Sequence, residues 1–461
     1  MLRSDEPKQF KISEFSVFGL LGDKNYTLEI GAEASIIVGP NGAGKSNFLS
    51  IFYLVISRQW AKLTDYSFAK IIIKSKNLEI HFDKDDLLEM TSYIGENPRY
   101  KQLYTYLVEN NIFGNFVSSE SIPLQDRRVY SEMFKIPTMG ISTFHSRLRD
   151  EVDHAKNFIA VESLIEKMDL GLIIFMPTYR RIEKDLRNFL PEAAQAPRDS
   201  GEPNSPQVKP RAYIEVIGAG MRDVRRLIEN KIHSIAIAKQ RTTERAAQEY
   251  ILDIVRGSIS NFSLNRLKNI DEDSLLSFIE TLDNSIFRKQ DKARLKSQIL
   301  GLRNRPNKAP KAEERYLGLY VEKLLQAQER IGALEEPLRK LTELASQYIG
   351  SDKIFNFVES PKFRSRRDEN EELDLEVLSS GEKQILAMFS YLLLSDDSKC
   401  ILIVDEPELS LSVPWQKTLL PDIISTGNCA HVFAVTHSPF IFSNRLQNCL
   451  VDTQSMEVVY A

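Results

Sequence analysis

The sequence predicts an α/β protein built around a phosphate-binding loop and interrupted by a helical, short coiled-coil-like insertion. Three observations predict it. A glycine-rich loop, Gly39–Ser46, stands between an apolar strand-length run, "SIIVG" (35–39), and a segment with helical apolar spacing, "KSNFLSIFYLVISRQW" (45–60). Further short apolar runs, "LGLIIFM" (170–176), "CILIVD" (400–405) and "HVFAV" (431–435), have the texture of fully buried strands. Between the first of these and the last two, residues 213–349 lose strand texture and carry long charged segments with helical spacing.

Taken in chain order, "FKISEFSVFG" (10–19) and "YTLEI" (26–30) alternate apolar with polar residues, as half-buried strands do. "FAKIIIKSKNLEIHF" (68–82) predicts an antiparallel pair, and the mixed stretch 84–170 ends in a helix over "NFIAVESLIEKM" (157–168). "LGLIIFMPTYRRIEKDL" (170–186) reads as a strand, a proline stop and a basic segment. Residues 191–212 are dominated by Pro, Ser and Ala and predict a flexible linker. Two helical segments follow, 221–255 and 313–349, the second interrupted by Gly332 and Pro337. Strand texture returns at "KIFNFVE" (353–359), and the last hundred or so residues alternate strand with helix. The expected domains are therefore 1–190 and 350–461 as two halves of one α/β unit, with the linker and the insert (213–349) between them.

Composition narrows the function classes. A length of 461 residues allows two or three domain-sized units, and 42% hydrophobic with 27% charged residues is the balance of a globular chain, which excludes general disorder. The formal charge of −4 supplies no global field for nucleic acid, so any such surface has to be local. Cys400, Cys429 and Cys449 have no metal-ligand spacing and read as small core residues in a reducing compartment. No signal-peptide pattern opens the chain and no apolar run approaches the ~20 residues of a membrane helix. A cytoplasmic protein without membrane contact is expected.

Four stretches carry chemistry. Gly39, Gly44, Lys45 and Ser46 satisfy G-x-x-x-x-G-K-[ST] in its proper strand-to-helix setting. The backbone from Asn41 through Gly42, Ala43 and Gly44 can turn successive N–H groups onto phosphates, and the helix N-terminus adds its partial positive charge. Lys45 is placed to reach the β- and γ-phosphates of ATP and Ser46 to ligate Mg²⁺. "CILIVDEPELSL" (400–411) ends a strand at Asp405 and Glu406, where an acid supplies a second Mg²⁺ ligand and its neighbour polarises the attacking water. "LSSGEKQ" (378–384) sets Ser379 and Gly381 at a helix start; alone it reads equally as a helix cap, with Ser379 or Ser380 as the cap residue. "HVFAVTHSPF" (431–440) is a strand ending in Thr436-His437, and a lone histidine there is more often structural than catalytic.

The order of the four changes that weight. Glycine loop, "LSSGE", "VDEPE" and a strand with "THSP" resemble the Walker A, signature, Walker B and switch motifs of ABC-type ATPases, in the soluble branch of SMC, RecF and OLD-type proteins. The resemblance implies a P-loop ABC-ATPase head and two heads sandwiching two ATP molecules as a homodimer, within a larger homo-oligomer. It also implies that Ser379 and Gly381 reach the γ-phosphate of the other subunit's site, and that Glu406 and His437 are catalytic. The signature departs from the usual pattern at Ser380 and Glu382, and no glutamine stands out for the Q-loop. "MPTYRRIE" (176–183) occupies its place, where Arg180 or Arg181 either senses nucleotide or begins a solvated basic helix.

The signature follows the P-loop by over 330 residues, and the helical segment fills that interval as coiled-coil arms do in SMC proteins. Only 24 residues follow His437, which leaves no expectation of the TOPRIM nuclease that OLD-type proteins carry there. Length, compact insert and "PTYRRIE" resemble the ATPase subunits of PARIS-type phage-defence systems, with those of Septu and retron systems close behind. That resemblance implies an ATPase without nuclease activity of its own. It would act as sensor and scaffold for a separate effector, a TOPRIM-type nuclease, answering a phage trigger protein. The alternative is a RecF-like repair ATPase that binds DNA directly. The basic cluster in "KFRSRRDENEE" (362–372) would serve it, although an acidic run follows at once and the segment reads rather as a solvated loop.

Overall fold

The computed structural model describes residues 12–150, 170–178, 213–215, 221–257, 287–303 and 311–458, apart from gaps of one to three residues, with isolated residues at 161–168 and 272–280. The expected linker 191–212, Arg180, Arg181 and most of the helix expected over 157–168 lie outside the described residues.

The element that positions the P-loop is α1 (Lys45–Ile56). Ten of its residues are buried, so its apolar character extends around the whole helix and requires cover on every side. Two sheets provide it. Phe15, on β1 (Glu14–Leu20), meets the rings of Phe48 and Phe52 edge-on at 5.6 and 4.9 Å. From the other side Phe433 approaches Phe52 at 4.5 Å, and Phe175 stacks on Tyr53 at 4.1 Å. With α1 fixed between two aromatic layers, the loop at its N-terminus is fixed too.

The first sheet is antiparallel. It contains β1, β2 (Lys24–Glu29), β4 (Lys70–Ser75) and β5 (Leu78–Asp83) in the order β2-β1-β4-β5, and the alternating patterns of 10–30 and 68–82 are borne out. The second sheet is parallel and six-stranded. Its order is β12-β3-β11-β10-β6-β7, formed by β3 (Ala34–Val38), β6 (Leu172–Met176), β7 (Tyr213–Glu215), β10 (Cys400–Asp405), β11 (Cys429–Val435) and β12 (Leu450–Asp452). The inner strands β3, β10 and β11 are close to fully buried, which is why they read as unbroken apolar runs. The mixed stretch after β5 folds into short helices, Lys84–Gly95, Pro98–Glu109, Phe113–Ser118, Leu124–Phe134 and Thr138–Asp150, packed around Leu103, Phe113, Phe116 and Phe144.

By contacts the chain forms two units, Met1–Arg222 with Leu375–Ala461, and Asp223–Asp374. The second unit is helical, as expected, and differs from the sequence reading at both ends. Tyr213–Glu215, assigned to the insert, is strand β7 of the parallel sheet: Tyr53 donates to Glu215 at 3.0 Å and Lys62 pairs with the same carboxylate at 3.0 Å. At the other end β8 (Lys353–Phe357) and β9 (Pro361–Ser365) form a hairpin that belongs to the helical unit rather than to the α/β unit. The basic segment read as a solvated loop is therefore half strand, held because Phe355 and Phe363 bury on one face of the hairpin while Lys362 and Arg364 stay partly exposed.

In the second unit α2 (Met221–Val255) and α3 (Ala312–Ser346) run antiparallel: Lys239 pairs with Glu335, and Lys323 with Glu249 and Asp253 at 3.5 and 3.1 Å. The interruption expected at Gly332 and Pro337 is absent, for α3 is continuous through both. Proline removes the hydrogen bond to the carbonyl of Ala333, and Ala333 is exposed, so water can satisfy it. Leu338, the next residue, and Leu341, one turn on, are buried and hold the helix in place. Of the cysteines expected in the core, only Cys400 is fully buried; Cys429 and Cys449 are half-buried near the strand ends.

Candidate functional site

Four neighbouring parallel strands, β3, β11, β10 and β6, end on one edge of the sheet, so the segments after Val38, Val435, Asp405 and Met176 converge there. The carboxyl edge of an open parallel sheet is where this class of fold places its ligand.

The P-loop occupies that edge in a conformation only its glycines allow. Gly39 has φ +153°, and a Cβ on it would lie 2.1 Å from Thr453 Oγ1, a buried residue just past β12. Gly44 has φ +88° at the N-cap of α1. From β2, Lys24 Nζ donates to the carbonyl of Gly42 at 2.8 Å and Tyr26 Oη to that of Ala43 at 2.8 Å, fastening the loop from the outside. Asn41 and Gly42 are exposed at its crest. Lys45 is 5% exposed, and its ammonium donates to the carbonyls of Gly39 and Pro40 at 2.8 and 2.9 Å. Burial pushes the Lys45 pKa down, against the pull of Asp405, Glu406 and Glu408 and with some help from Lys24. A buried cation satisfied by neutral carbonyls is placed to exchange them for an anion.

Asp405, 3% exposed at the end of β10, accepts from Ser46 Oγ at 3.0 Å and from Thr178 Oγ1 at 3.4 Å. A buried carboxylate facing the P-loop hydroxyl is a donor set that fits a hard cation needing oxygen ligands. Among the described residues no group of three or more His, Cys, Asp or Glu side chains could hold a metal, so Mg²⁺ here would complete its shell from phosphate and water. Glu406 follows with φ +53°, an unfavourable conformation for a residue with a Cβ, held by its N–H bonding to the Val435 carbonyl at 2.8 Å. Its side chain is half-exposed at the site's edge.

Ser379, rather than Ser380, is the cap residue of α4 (Ser380–Leu394). Its N–H donates to Glu382 at 2.7 Å and its hydroxyl accepts from the Glu382 N–H at 3.4 Å, a capping box. The carboxylate at the departing signature position is thus spent on the helix start and is buried. Ser379 is exposed, whereas Gly381 is buried, and a Cβ on it would lie 2.4 Å from the carbonyl of Ser410. His437 is exposed after β11, and its main chain rather than its ring is held, by Glu408.

The structure therefore brings Lys45, Ser46, Asp405 and Glu406 to one sheet edge, with the His437 turn beside them. Ser379 and Gly381 stand at a separate helix start, where Gly381 abuts the Ser410 carbonyl, four residues past Glu406. Three contributors escape sequence reasoning. Thr178 falls in the segment named for the Q-loop, and only the pairing of β6 with β10 shows that it, and not a glutamine, reaches Asp405. Lys24 and Tyr26 look like ordinary strand residues. Glu408 is visible only as a neighbour of Glu406.

A family model described as "AAA domain, putative AbiEii toxin, Type IV TA system" matches residues 200–443, more than half of the chain, spanning the signature, Asp405-Glu406 and His437 segments. No curated protein matches. Among solved structures, the Smc head domain of Pyrococcus furiosus, with an extended coiled coil and bound to the C-terminal domain of ScpA, is similar at 13% identity and TM-score 0.35, over 94% of this chain and 91% of that one. An SmcHead bound to the C-winged helix domain of ScpA gives 11% and 0.35, over 94% and 91%. The Smc head domain of Pyrococcus yayanosii with a coiled coil and joint gives 13% and 0.31, over 94% and 93%. Superpositions this loose bear no weight for function.

Proposed function

The chain belongs to the family described as AAA domain, putative AbiEii toxin, Type IV TA system, and from that premise we propose that it is an ATP-hydrolysing sensor and scaffold controlling a separate effector in anti-phage defence. The observation that carries the ATPase part is the Ser46–Asp405 contact across 359 positions of sequence, with Lys45 beside it. It joins the two halves of a Mg²⁺–nucleotide site at one sheet edge.

Lys45 would exchange the Gly39 and Pro40 carbonyls for phosphate oxygens, while the N–H groups from Asn41 to Ser46 enclose the phosphates. Ser46 and Asp405 would hold Mg²⁺, which when bound neutralises phosphate charge. Thr178 keeps Asp405 oriented, and Glu406 takes the proton of the attacking water. His437 stands at the end of the neighbouring strand, where it can meet the γ-phosphate. Ser379, exposed on its own chain, is free to complete the site of a second copy, so the active form is a homodimer closed around ATP.

The defence role rests on the family description, which names a putative toxin of a toxin–antitoxin system, and on the resemblance of the length, compact insert and "PTYRRIE" segment to PARIS-type ATPase subunits. A separate effector and a phage-derived trigger belong to this reading. So does a lack of nuclease activity in the isolated chain. The rival, direct DNA binding of the RecF kind, draws on Lys362, Arg364, Arg366 and Arg367 along β9 and just beyond it. Salt-dependent DNA binding by the isolated protein would favour the rival.

The test of the shared site is complementation. Ser379→Arg and Lys45→Ala should each abolish hydrolysis. Mixed heterodimers carry one site with both lesions and one with neither, and should recover part of the wild-type rate. Verified heterodimers with no recovery would refute the composite site.

A further inference from the structure

The carboxylate of Glu408, two residues past the proposed base, is taken up by the turn that follows β11. Its Oε2 accepts from Thr436 Oγ1 at 2.7 Å, and its Oε1 accepts from the N–H of His437 at 2.7 Å and from that of Ser438 at 3.1 Å. All three donors lie on the turn that carries His437. Thr436 is fully buried and its own N–H is held by the Ile37 carbonyl of β3 at 3.2 Å, so the turn is fixed on one side by the P-loop strand and on the other by Glu408.

Glu408 is itself tied to the signature helix. The N–H of Leu411 bonds to the Glu408 carbonyl at 3.1 Å, closing a tight turn through Ser410, which has φ +66°. The Ser410 carbonyl abuts Gly381 where no Cβ fits. A second strut runs parallel. Ser438 Oγ donates to Gln416 Oε1 at 2.6 Å, and Gln416 Nε2 donates to the Leu411 carbonyl at 2.9 Å, from the first turn of α5 (Val413–Ser425).

We infer that Glu408 is a positioning residue: it clamps the backbone of the His437 turn and couples that turn, through Ser410, to the start of the signature helix at Gly381. A carboxylate suits the task because it offers several acceptor sites and no donor, and here both oxygens are engaged by one hydroxyl and two consecutive N–H groups. The same engagement removes it as a substitute general base. A shift of the signature helix when a second head docks would move Ser410, and with it the placement of His437. The inference rests on the ATPase reading and adds a path by which dimer closure reaches the histidine.

Substitutions at Glu408, Thr436 and His437 test it by hydrogen exchange and steady-state hydrolysis. Glu408→Ala should speed amide exchange across 436–440 and lower kcat by at least ~10-fold while ATP affinity stays within ~3-fold, because misplacing a reacting group acts on the rate more than on binding. Glu408→Gln keeps an acceptor for the two N–H groups, and Thr436 can accept from its amide; it should restore both exchange protection and most of the rate. If Glu408→Ala does not fold, Thr436→Val removes one donor without loss of volume and should show the same split, smaller. Glu408→Ala combined with His437→Ala should be no slower than His437→Ala alone, within ~2-fold, since coupled residues do not add. Wild-type exchange in Glu408→Ala, equal losses in affinity and rate, or additive losses in the double variant would overturn the clamp. If the wild-type protein does not hydrolyse ATP, the ATPase reading fails by itself, and the exchange measurement still decides whether Glu408 holds the turn.

Discussion

Replacing Lys45 by alanine separates the roles that a buried cation plays with and without ligand. In the free protein its ammonium makes two hydrogen bonds to carbonyls, at 2.8 and 2.9 Å, each worth ~1.5–3 kcal/mol for a charged donor. Against this stands the desolvation of the ammonium of a lysine that is 5% exposed as a residue, several kcal/mol after relaxation. The terms nearly cancel, so removal should change folding stability by no more than ~1–2 kcal/mol in either direction. With nucleotide bound, phosphate replaces the carbonyls, and truncating one partner of a buried charge pair costs ~2–5 kcal/mol, or ~30- to ~5,000-fold in affinity. Titration calorimetry with MgATP and with AMP resolves this: the loss should be large for ATP and small for AMP, which lacks the phosphates that Lys45 meets. Lys45→Met, which keeps the aliphatic stem, should behave like Lys45→Ala. A pH signature follows as well. Burial holds Lys45 below the usual lysine pKa of 10.5, so in the interval beneath that value the unfolded chain binds more protons and stability rises with pH. Lys45→Met should lose that rise. A folded Lys45→Met that binds ATP within ~3-fold of wild type would refute the assignment.

Glu406→Gln should leave ATP bound and slow hydrolysis by at least ~100-fold, the scale of a lost general base, as read by phosphate release; an unchanged rate would place the base elsewhere. His145, 4% exposed, has Nε2 within 3.0 Å of the Ser119 carbonyl, and burial lowers its pKa against that bond, with the charges of Arg149 and Arg127 adding to the decrease. The folded chain therefore keeps it neutral where the unfolded chain protonates, so stability should fall as pH drops through 6.5. His145→Gln, which can still donate to Ser119, should flatten part of that fall between pH 7.5 and 5.5 in thermal melts, and an identical slope would refute the contribution.

Much of this fold was legible in the sequence because its main signals are local. The apolar runs of β3, β10 and β11 announce buried strands because both faces of each are covered, and the alternation in β1, β2, β4 and β5 announces strands exposed on one face. The P-loop was legible because glycine at Gly39 and Gly44 answers a backbone and steric need that no other residue meets. Legibility ended where tertiary contact overrides local preference. Pro337 reads as a helix stop, yet the buried leucines beyond it carry α3 through. The three residues of β7 are too few for a pattern and become a strand only because β6 offers an open edge. The β8–β9 hairpin shows strand texture in sequence, but not which unit claims it.

The residues that complete the site were hidden for a related reason: their roles are relations between segments, not properties of either one. Thr178 acquires meaning from the pairing of β6 with β10, and Lys24 from the proximity of β2 to Gly42. Glu408 shows this most clearly. As a sequence neighbour of Glu406 it looks like a spare base, and only the register of β10 beside β11 sets it under the His437 turn, with both oxygens occupied. The two acids thus divide the work by geometry. Glu406, turned out of the strand by its positive φ, is left half-exposed, as the proposed base must be, while Glu408, two residues on, is taken up in holding the neighbouring loop. In the proposed ATPase, closure would pass from the signature helix to the P-loop side through contacts of this kind, since over 330 residues of sequence separate the two motifs.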